Sequence, residues 1–350
     1  MNKFLLIFFN TIIFFLIINF LIIISWPIYS NYKSDRHNYS DEQVEILEMS
    51  ENDLITLHNE TWRNYHRFRF VPFVGHSETE RIGKFVNFTE ENGRKVNRPQ
   101  NCSSNVYLYG GSTTFGYNVE DGKTIAEYLQ NYLGEKFCVY NHGRSYYYSK
   151  QENNLLNLHL ENKKKIDYAI FLDGVNERCG GYDNDQQISY IFSGLVERPY
   201  NMWKKHFVNM IYSLPISQFY NSLINKNKYF NNYQNILQIN TCLKKIPMSH
   251  LFETRTLVRH GFCKEANIKC YTFIQPIPGV HGRQTTKFLD QEKQNDFKKK
   301  YDQLIDGGKY SIDLGFVLKE SEEQSYIDGV HYTPATNSKI AKALKKFIIE

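Results

Sequence analysis

Three hydrophobic patterns divide this chain. The first is continuous. Phe4 to Ile24 carries no charged residue, and only Asn10, Thr11 and Asn19 interrupt its apolar run. As a helix it would be about 31 Å long, close to the hydrocarbon thickness of a bilayer. A cleaved export signal has an apolar region of about 7–15 residues and then a small-x-small cleavage site. Ser25-Trp26-Pro27-Ile28-Tyr29 offers no such site, and Trp26 and Tyr29 suit a membrane interface. Residues 1–30 are therefore expected to be an uncleaved, single-pass anchor. Lys3 and the amino terminus compete with Lys33 and Arg36, so orientation is only weakly specified. No second span appears, and the remaining chain is expected on one, extracytoplasmic or periplasmic, side.

The second pattern is weak. Residues 31–100 read as a polar stalk, with a short helix around Glu42–Met49, followed by a small lead-in element. In that element Phe68, Phe70, Val71, Phe73 and Val74 are interleaved with Pro72 and Gly75. Phe85-Val86-Asn87-Phe88 and the turn-like Glu91-Asn92-Gly93-Arg94 come next, which suggests a hairpin.

The third pattern fills residues 101–350 and alternates strand with helix. Val106–Tyr109, Phe137–Tyr140, Tyr168–Leu172, Lys269–Ile274 and Tyr310–Leu314 are short apolar runs. Thr124–Leu133, Gln151–Leu160 and a closing helix from Pro334 show helical periodicity, the last with Thr333 placed to cap it. Apolar strands alternating with helices predict an α/β fold with a parallel sheet of about five strands, covered on both faces. Residues 178–261 break the rhythm and read as a largely helical insertion. Met202–Leu214 and Asn221–Ile239 are its helix-like patches.

Composition changes this picture little. The net charge is +5, and without Lys3 the remainder carries +4. That is too mild to argue for a nucleic-acid partner. The six cysteines, Cys102, Cys138, Cys179, Cys242, Cys263 and Cys270, contain no CxxC pair, so neither a zinc site nor a thioredoxin-like centre is expected. Cys102 and Cys138 flank neighbouring strands; a disulfide and two buried thiols are both open readings. Asn38, Asn59, Asn87 and Asn101 each begin an N-x-S/T sequon.

The candidate chemistry lies where the strands end, the edge at which open α/β sheets bind ligands. Gly110-Gly111-Ser112-Thr113 follows the first strand of this region, Asn141-His142-Gly143 the second and Asp173-Gly174-Val175-Asn176-Glu177 the third. Asp328-Gly329-Val330-His331 precedes the last helix. A serine hydroxyl needs a base to become a nucleophile, and an imidazole needs a carboxylate to fix its tautomer. Ser112, His331 and Asp328 meet those requirements. The Ser112 N–H, the Gly143 N–H and the Asn176 amide are expected to receive an oxyanion. His142, Glu177 and Gln275 are candidates for substrate contact. No Gly-Lys-Ser/Thr follows the glycines, which excludes a phosphate loop.

These four blocks in this order resemble the SGNH/GDSL hydrolase superfamily. GGSTTFG followed by DGVNE is similar to a membrane-anchored bacterial branch of it, as are Phe70–Gly75, Asn87 and Gly93-Arg94. The sequence departs from the name-giving motif at Gly111, where that motif has Asp, and its second block has Ser145-Tyr146-Tyr147 in place of a later glycine. The resemblance implies a flavodoxin-like three-layer α/β/α fold and ester hydrolysis or acyl transfer without metal or cofactor. By analogy with anchored relatives it implies, as substrate, an O-acyl group, acetyl foremost, on a cell-envelope or exported glycan. The alternatives are an esterase acting on lipids or small esters, and a catalytically inactive glycan-binding protein of the same fold.

Overall fold

The structure, a computed structural model, describes residues 3–34, 41–62, 68–177, 247–283, 289–319, 321 and 323–349. The chain divides into two units. One comprises residues 1–38 and 182–241, and in it helix α1 (Lys3–Ser34) is described. Ile7–Ser25 has a mean hydropathy of 2.8 and is long and apolar enough to cross a bilayer, by length and composition. Phe8, Phe14 and Phe20 are exposed along it.

The second unit, residues 39–181 and 242–350, holds the sheet. Its elements begin with α2 (Asp41–Leu47) and α3 (Glu51–Trp62), then the strands β1 (Phe68–Val71), β2 (Gly75–Glu78), β3 (Arg81–Ile82), β4 (Asn87–Thr89) and β5 (Gly93–Arg94). Next come β6 (Ser104–Gly110), α4 (Ser112–Phe115), α5 (Ile125–Leu133), β7 (Phe137–Asn141), α6 (Ser149–Glu161) and β8 (Tyr168–Asp173). After the undescribed stretch follow α7 (Met248–Glu265), β9 (Lys269–Ile274), α8 (Gln291–Asp306), β10 (Ile312–Asp313) and α9 (Pro334–Ile349).

β1 and β2 form a separate antiparallel hairpin. The main sheet has the order β10-β9-β8-β6-β7-β5-β4-β3. It is parallel from β10 to β5, and β4 and β3 close it antiparallel. Among the described residues it has eight strands, six of them mutually parallel, where about five parallel strands were expected. The hairpin expected around Phe85–Phe88 and Glu91–Arg94 is present as β4 and β5, and with β3 it forms the edge of this sheet.

The period of two along β6 assigns its side chains to opposite faces. Val106 and Leu108 pack with Ile170, Leu172 and Phe273 beneath Ile125, Leu129, Ile340 and Leu344 of α5 and α9. Tyr107 and Tyr109 pack on the other face with Ala169, Phe171, Leu155, Leu156 and Cys263 from β8, α6 and α7. Thr333 caps α9 as expected, by accepting from the Thr336 N–H, and Thr124 caps α5 in the same way, by accepting from the Glu127 N–H. Disulfides join Cys102 to Cys138 and Cys263 to Cys270.

Two boundaries differ from expectation. The insertion expected at 178–261 ends earlier, because α7 is a core helix packed on α6 and β9. Its buried side chains are Phe252, Thr256, Arg259 and Cys263, a helical stripe with two polar members, which masks it in a hydrophobicity pattern. Residues 178–246, with Met202–Leu214, Asn221–Ile239, Cys179 and Cys242, lie outside the described residues. The second difference is the stalk. Leu47 of α2 and Leu54 of α3 are buried with Val119 and Ile327. Leu57 of α3 packs with Phe85, Val86, Phe88, Phe115 and Tyr117. The segment 41–62 is thus a wall of the folded unit. Asn87, one of the four sequon residues, uses its amide to bind Asp121 at 2.7 Å.

Arg259 is fully buried. It donates to Asp173 at 2.7 Å, to Glu152 at 3.2 Å and to Asn153 at 2.7 Å, tying α7 to α6 and to the end of β8. Burial and the neighbouring Asp173 push the Glu152 carboxyl well above the usual carboxylate range, against the pull of Arg259. A carboxyl raised in the folded state contributes stability that is full below its unfolded value and is lost as the pH rises towards the folded value. Glu152→Gln cannot ionise. It is expected to melt above the wild type near pH 8 and level with it near pH 4.5, roughly the unfolded value, in thermal melts across that window.

Candidate active site

Ser112 is the first residue of α4, at the carboxyl end of the central strand β6. The turn into this helix is tight. A Cβ on Gly110 would overlap the Thr114 side chain, and one on Gly111 would overlap the Asn176 amide. The latter contact explains why glycine precedes the serine: an aspartate there would displace Asn176. Gly116 ends the helix with φ of 90°, a left-handed conformation that glycine adopts without strain. Thr113 donates to Gln275 at 2.7 Å and anchors the helix to the end of β9.

His331 enters from the loop before α9. Its Nε2 lies 2.9 Å from Ser112 Oγ, and its Nδ1 lies 2.7 Å from Asp328 Oδ2. The other carboxylate oxygen, Oδ1, accepts the backbone N–H groups of Val330 and His331, each at 2.8 Å. Burial pushes the Asp328 carboxyl up. His331 and the two backbone donors outweigh it, and the net position is below the ordinary 3.8. Asp328 is therefore a carboxylate at neutral pH, and its acceptor contribution is lost only as the pH falls through that lowered value. An ionised acceptor at Nδ1 requires the proton there, which leaves the Nε2 lone pair facing the serine hydroxyl. The imidazole is boxed by aromatic rings: Tyr117 stacks on it at 5.5 Å and Trp62 meets it edge-on at 5.6 Å.

The expected oxyanion donors occupy three different situations. Ser112 N–H stands in the first turn of α4, where helical N–H groups have no partner within the helix. Asn176 lies against Gly111 and gives one amide hydrogen to Tyr147 O at 3.1 Å, keeping the second. Gly143 departs from expectation. Its N–H donates to Asn141 Oδ1 at 3.0 Å, and a Cβ there would overlap the backbone of Thr114 and Phe115. Glycine at 143 lets the loop after β7 close on α4; it does not leave room for a substrate.

The three residues expected to touch substrate are internal instead. His142 is fully buried against Tyr107, Tyr109, Tyr140 and His159. Burial, with His159 and Arg144 beside it, pushes its pKa well below 6.5, so it is neutral. Glu177 is buried; it accepts from Ser149 N–H and Oγ–H and pairs with Arg255. Gln275 is buried beneath α4 and accepts from Thr113 and from Tyr332. All three follow strand ends, but their side chains point into the protein, which strand-end position alone does not decide.

Sequence reasoning missed the residues that hold the site in place. Arg94 is fully buried. It pairs with Asp121 at 2.6 Å and donates to the carbonyls of Gly116 at 3.0 Å and Val119 at 2.8 Å, clamping the chain that leaves α4. Gly93 beside it has φ of 76° and packs on the Asn141 carbonyl. Asn118 donates to Asp328 Oδ2 at 2.6 Å, and its Oδ1 accepts from the Trp62 indole N–H at 2.5 Å. Only the Gly93-Arg94 pair left a trace in the sequence, through its resemblance to a lead-in.

No protein-family model and no curated protein matches the chain. Among solved structures, it is similar to a lipolytic protein of the G-D-S-L family from Desulfitobacterium hafniense DCB-2, at 11% identity and a TM-score of 0.37, covering 69% of this chain and 98% of that one. It is similar also to the acetyl xylan esterase AlAXEase, at 14% identity and a TM-score of 0.36, covering 70% and 100%. A third is Est24, a carbohydrate acetylesterase from Sinorhizobium meliloti, at 13% identity and a TM-score of 0.36, covering 70% and 98%.

The arrangement can pass a proton from Ser112 Oγ to His331 Nε2 while amide donors wait beside the serine. Gly111→Ala is expected to push Asn176 aside. It should slow covalent labelling of Ser112 by a fluorophosphonate about 100-fold, the usual cost of one lost oxyanion donor. The thermal midpoint serves as the control for folding, and an unchanged labelling rate in the folded variant would exclude Asn176 from the site.

Proposed function

We propose that this chain is a serine esterase of the SGNH type, with Ser112 as nucleophile, His331 as general base and acid, and Asp328 as its orienting carboxylate. One observation carries the reading: His331 bridges Ser112 and Asp328, at 2.9 Å and 2.7 Å, across 219 residues of sequence. The order of strands β7-β6-β8-β9-β10 supports a flavodoxin-like core, since it runs 2-1-3-4-5 by position in the chain.

The chemistry follows from these atoms. Ser112 Oγ attacks the acyl carbon as its proton passes to His331 Nε2. The carbonyl oxygen becomes an oxyanion and takes hydrogen bonds from Ser112 N–H and the free hydrogen of Asn176. The imidazolium, held by Asp328, gives its proton to the leaving alcohol, and an acyl group remains on Ser112. A second hydroxyl then attacks that acyl-serine, and His331 takes and returns its proton in the same way. Water in this second step makes the enzyme a hydrolase; a sugar hydroxyl makes it an acyltransferase.

The membrane reading rests on α1, and it argues for an ester substrate presented near a membrane. We place the catalytic unit on the extracytoplasmic side, acting on an O-acetyl group of a cell-envelope or exported glycan.

Full-length protein in detergent is expected to release p-nitrophenol from p-nitrophenyl acetate and to be labelled by a fluorophosphonate, with both lost in Ser112→Ala. Labelling that survives that substitution refutes the assignment of the nucleophile. Asp328→Asn is expected to lower kcat by about 1,000- to 10,000-fold with little change in KM, because the amide favours the wrong imidazole tautomer. Product analysis with an O-acetylated glycan, with and without an acceptor, separates hydrolysis from transfer.

A further inference from the structure

The residues between the apolar helix and the sheet reach the candidate triad directly. α3 ends at Trp62, whose indole N–H donates to Asn118 Oδ1 at 2.5 Å. Asn118 in turn gives an amide hydrogen at 2.6 Å to Asp328 Oδ2, the same oxygen that faces His331 Nδ1 at 2.7 Å. The indole N–H is a donor only, so it fixes which end of the Asn118 amide is oxygen, and thereby turns the NH2 end towards Asp328. Asn118 holds φ of 64° to make this reach, a left-handed conformation that asparagine tolerates better than most residues. Trp62 also lays its ring edge against His331.

We propose that Asn118, oriented by Trp62, is a positioning residue that sets the basicity of His331 through Asp328. The inference rests on the esterase reading for its meaning in catalysis, but the effect on the imidazole does not. Two backbone N–H groups hold Asp328 Oδ1, so the carboxylate stays in place when Asn118 is removed. What changes is Oδ2. An amide hydrogen on this oxygen draws off charge that would otherwise stabilise the imidazolium. Asn118 and the His331 Nδ1–H thus share one carboxylate oxygen, and deleting the amide returns that oxygen's charge to the imidazolium.

Among the described residues, the groups around the imidazole include Ser112 from α4, the Tyr117 phenol and the Asn118 amide from the loop after it, Trp62 from α3, and Asp328 from its own loop. The charged pair Arg94–Asp121 is internally matched and packs on Phe115, whose ring meets Tyr117. Glu60 of α3 is turned away, accepting from the backbone N–H groups of Lys84, Phe85 and Val86.

The test uses Asn118→Gly, which keeps the left-handed backbone and deletes the amide, and Trp62→Phe, which keeps a ring over His331 and deletes the N–H. Both are made in the full chain in detergent. The acid limb of kcat/KM for p-nitrophenyl acetate is expected to move up by about half to one pH unit in Asn118→Gly, a three- to ten-fold rise in proton affinity. In Trp62→Phe it moves the same way by less. A merely structural role would lower the rate at every pH and leave the limb where it was, and that result in a folded variant overturns the proposal. If Asn118→Gly does not fold, Trp62→Phe alone decides. NMR titration of histidine labelled with 13C at Cε1, with His331→Gln used to assign the signal, reads the same shift without turnover. An absent esterase activity with a shifted titration would refute the esterase reading and keep this one; an unshifted titration would overturn this one whatever the activity.

Discussion

A hydroxyl and an imidazole 219 residues apart in the chain must meet within a hydrogen bond, and that constraint organises the rest of the second unit. Parallel strands end on a common edge, so the loops after β6 and β8 arrive beside one another without long excursions. His331 comes from a different kind of place, the turn that leads into α9. Its position depends on α9 packing firmly over β6 and β8 through Ile340 and Leu344. The site is therefore only as precise as the layer of helices above it.

Buried charge supplies much of that precision. Arg94 and Arg259 are both fully buried and both matched, Arg94 by Asp121 and a set of carbonyls, Arg259 by Asp173, Glu152 and Asn153. Each is a strut with fixed geometry, because a guanidinium offers five donors in one plane. Arg94 fixes the chain leaving α4; Arg259 fixes the end of β8, three residues before Asn176. Such groups add little net stability over a well-packed apolar core, but removing one partner leaves a charge buried and unmatched. Standing at both flanks of the site, they fix position more than they add stability.

The lead-in and the segment before it belong to the same logic. A polar stretch after an apolar helix reads as a stalk, yet Leu47, Leu54 and Leu57 are buried against the loops that carry Val119, Phe115 and Ile327. β3 to β5 lengthen the sheet beyond β7 and bring Arg94 beneath α4. An element that looks like a spacer in one dimension is a wall of the site in three.

The α/β class, the strands of the third region, the capping of α9, and the meeting of Ser112, Asp328 and His331 with Asn176 beside them were legible in the sequence. Each of them depends on short-range pattern, such as a period of two or 3.6, a capping threonine or a glycine doublet, or on a resemblance that kept those patterns in order. The inward turn of His142, Glu177 and Gln275, the use of the Gly143 N–H by Asn141, the core role of α7 and the Trp62–Asn118–Asp328 chain were not. Those depend on which face of a loop meets which neighbour, and partners 28, 56 or 210 residues apart leave no periodic signal. Local chemistry determined what each residue is able to do; tertiary packing alone decided which of its donors and acceptors were still available to do it.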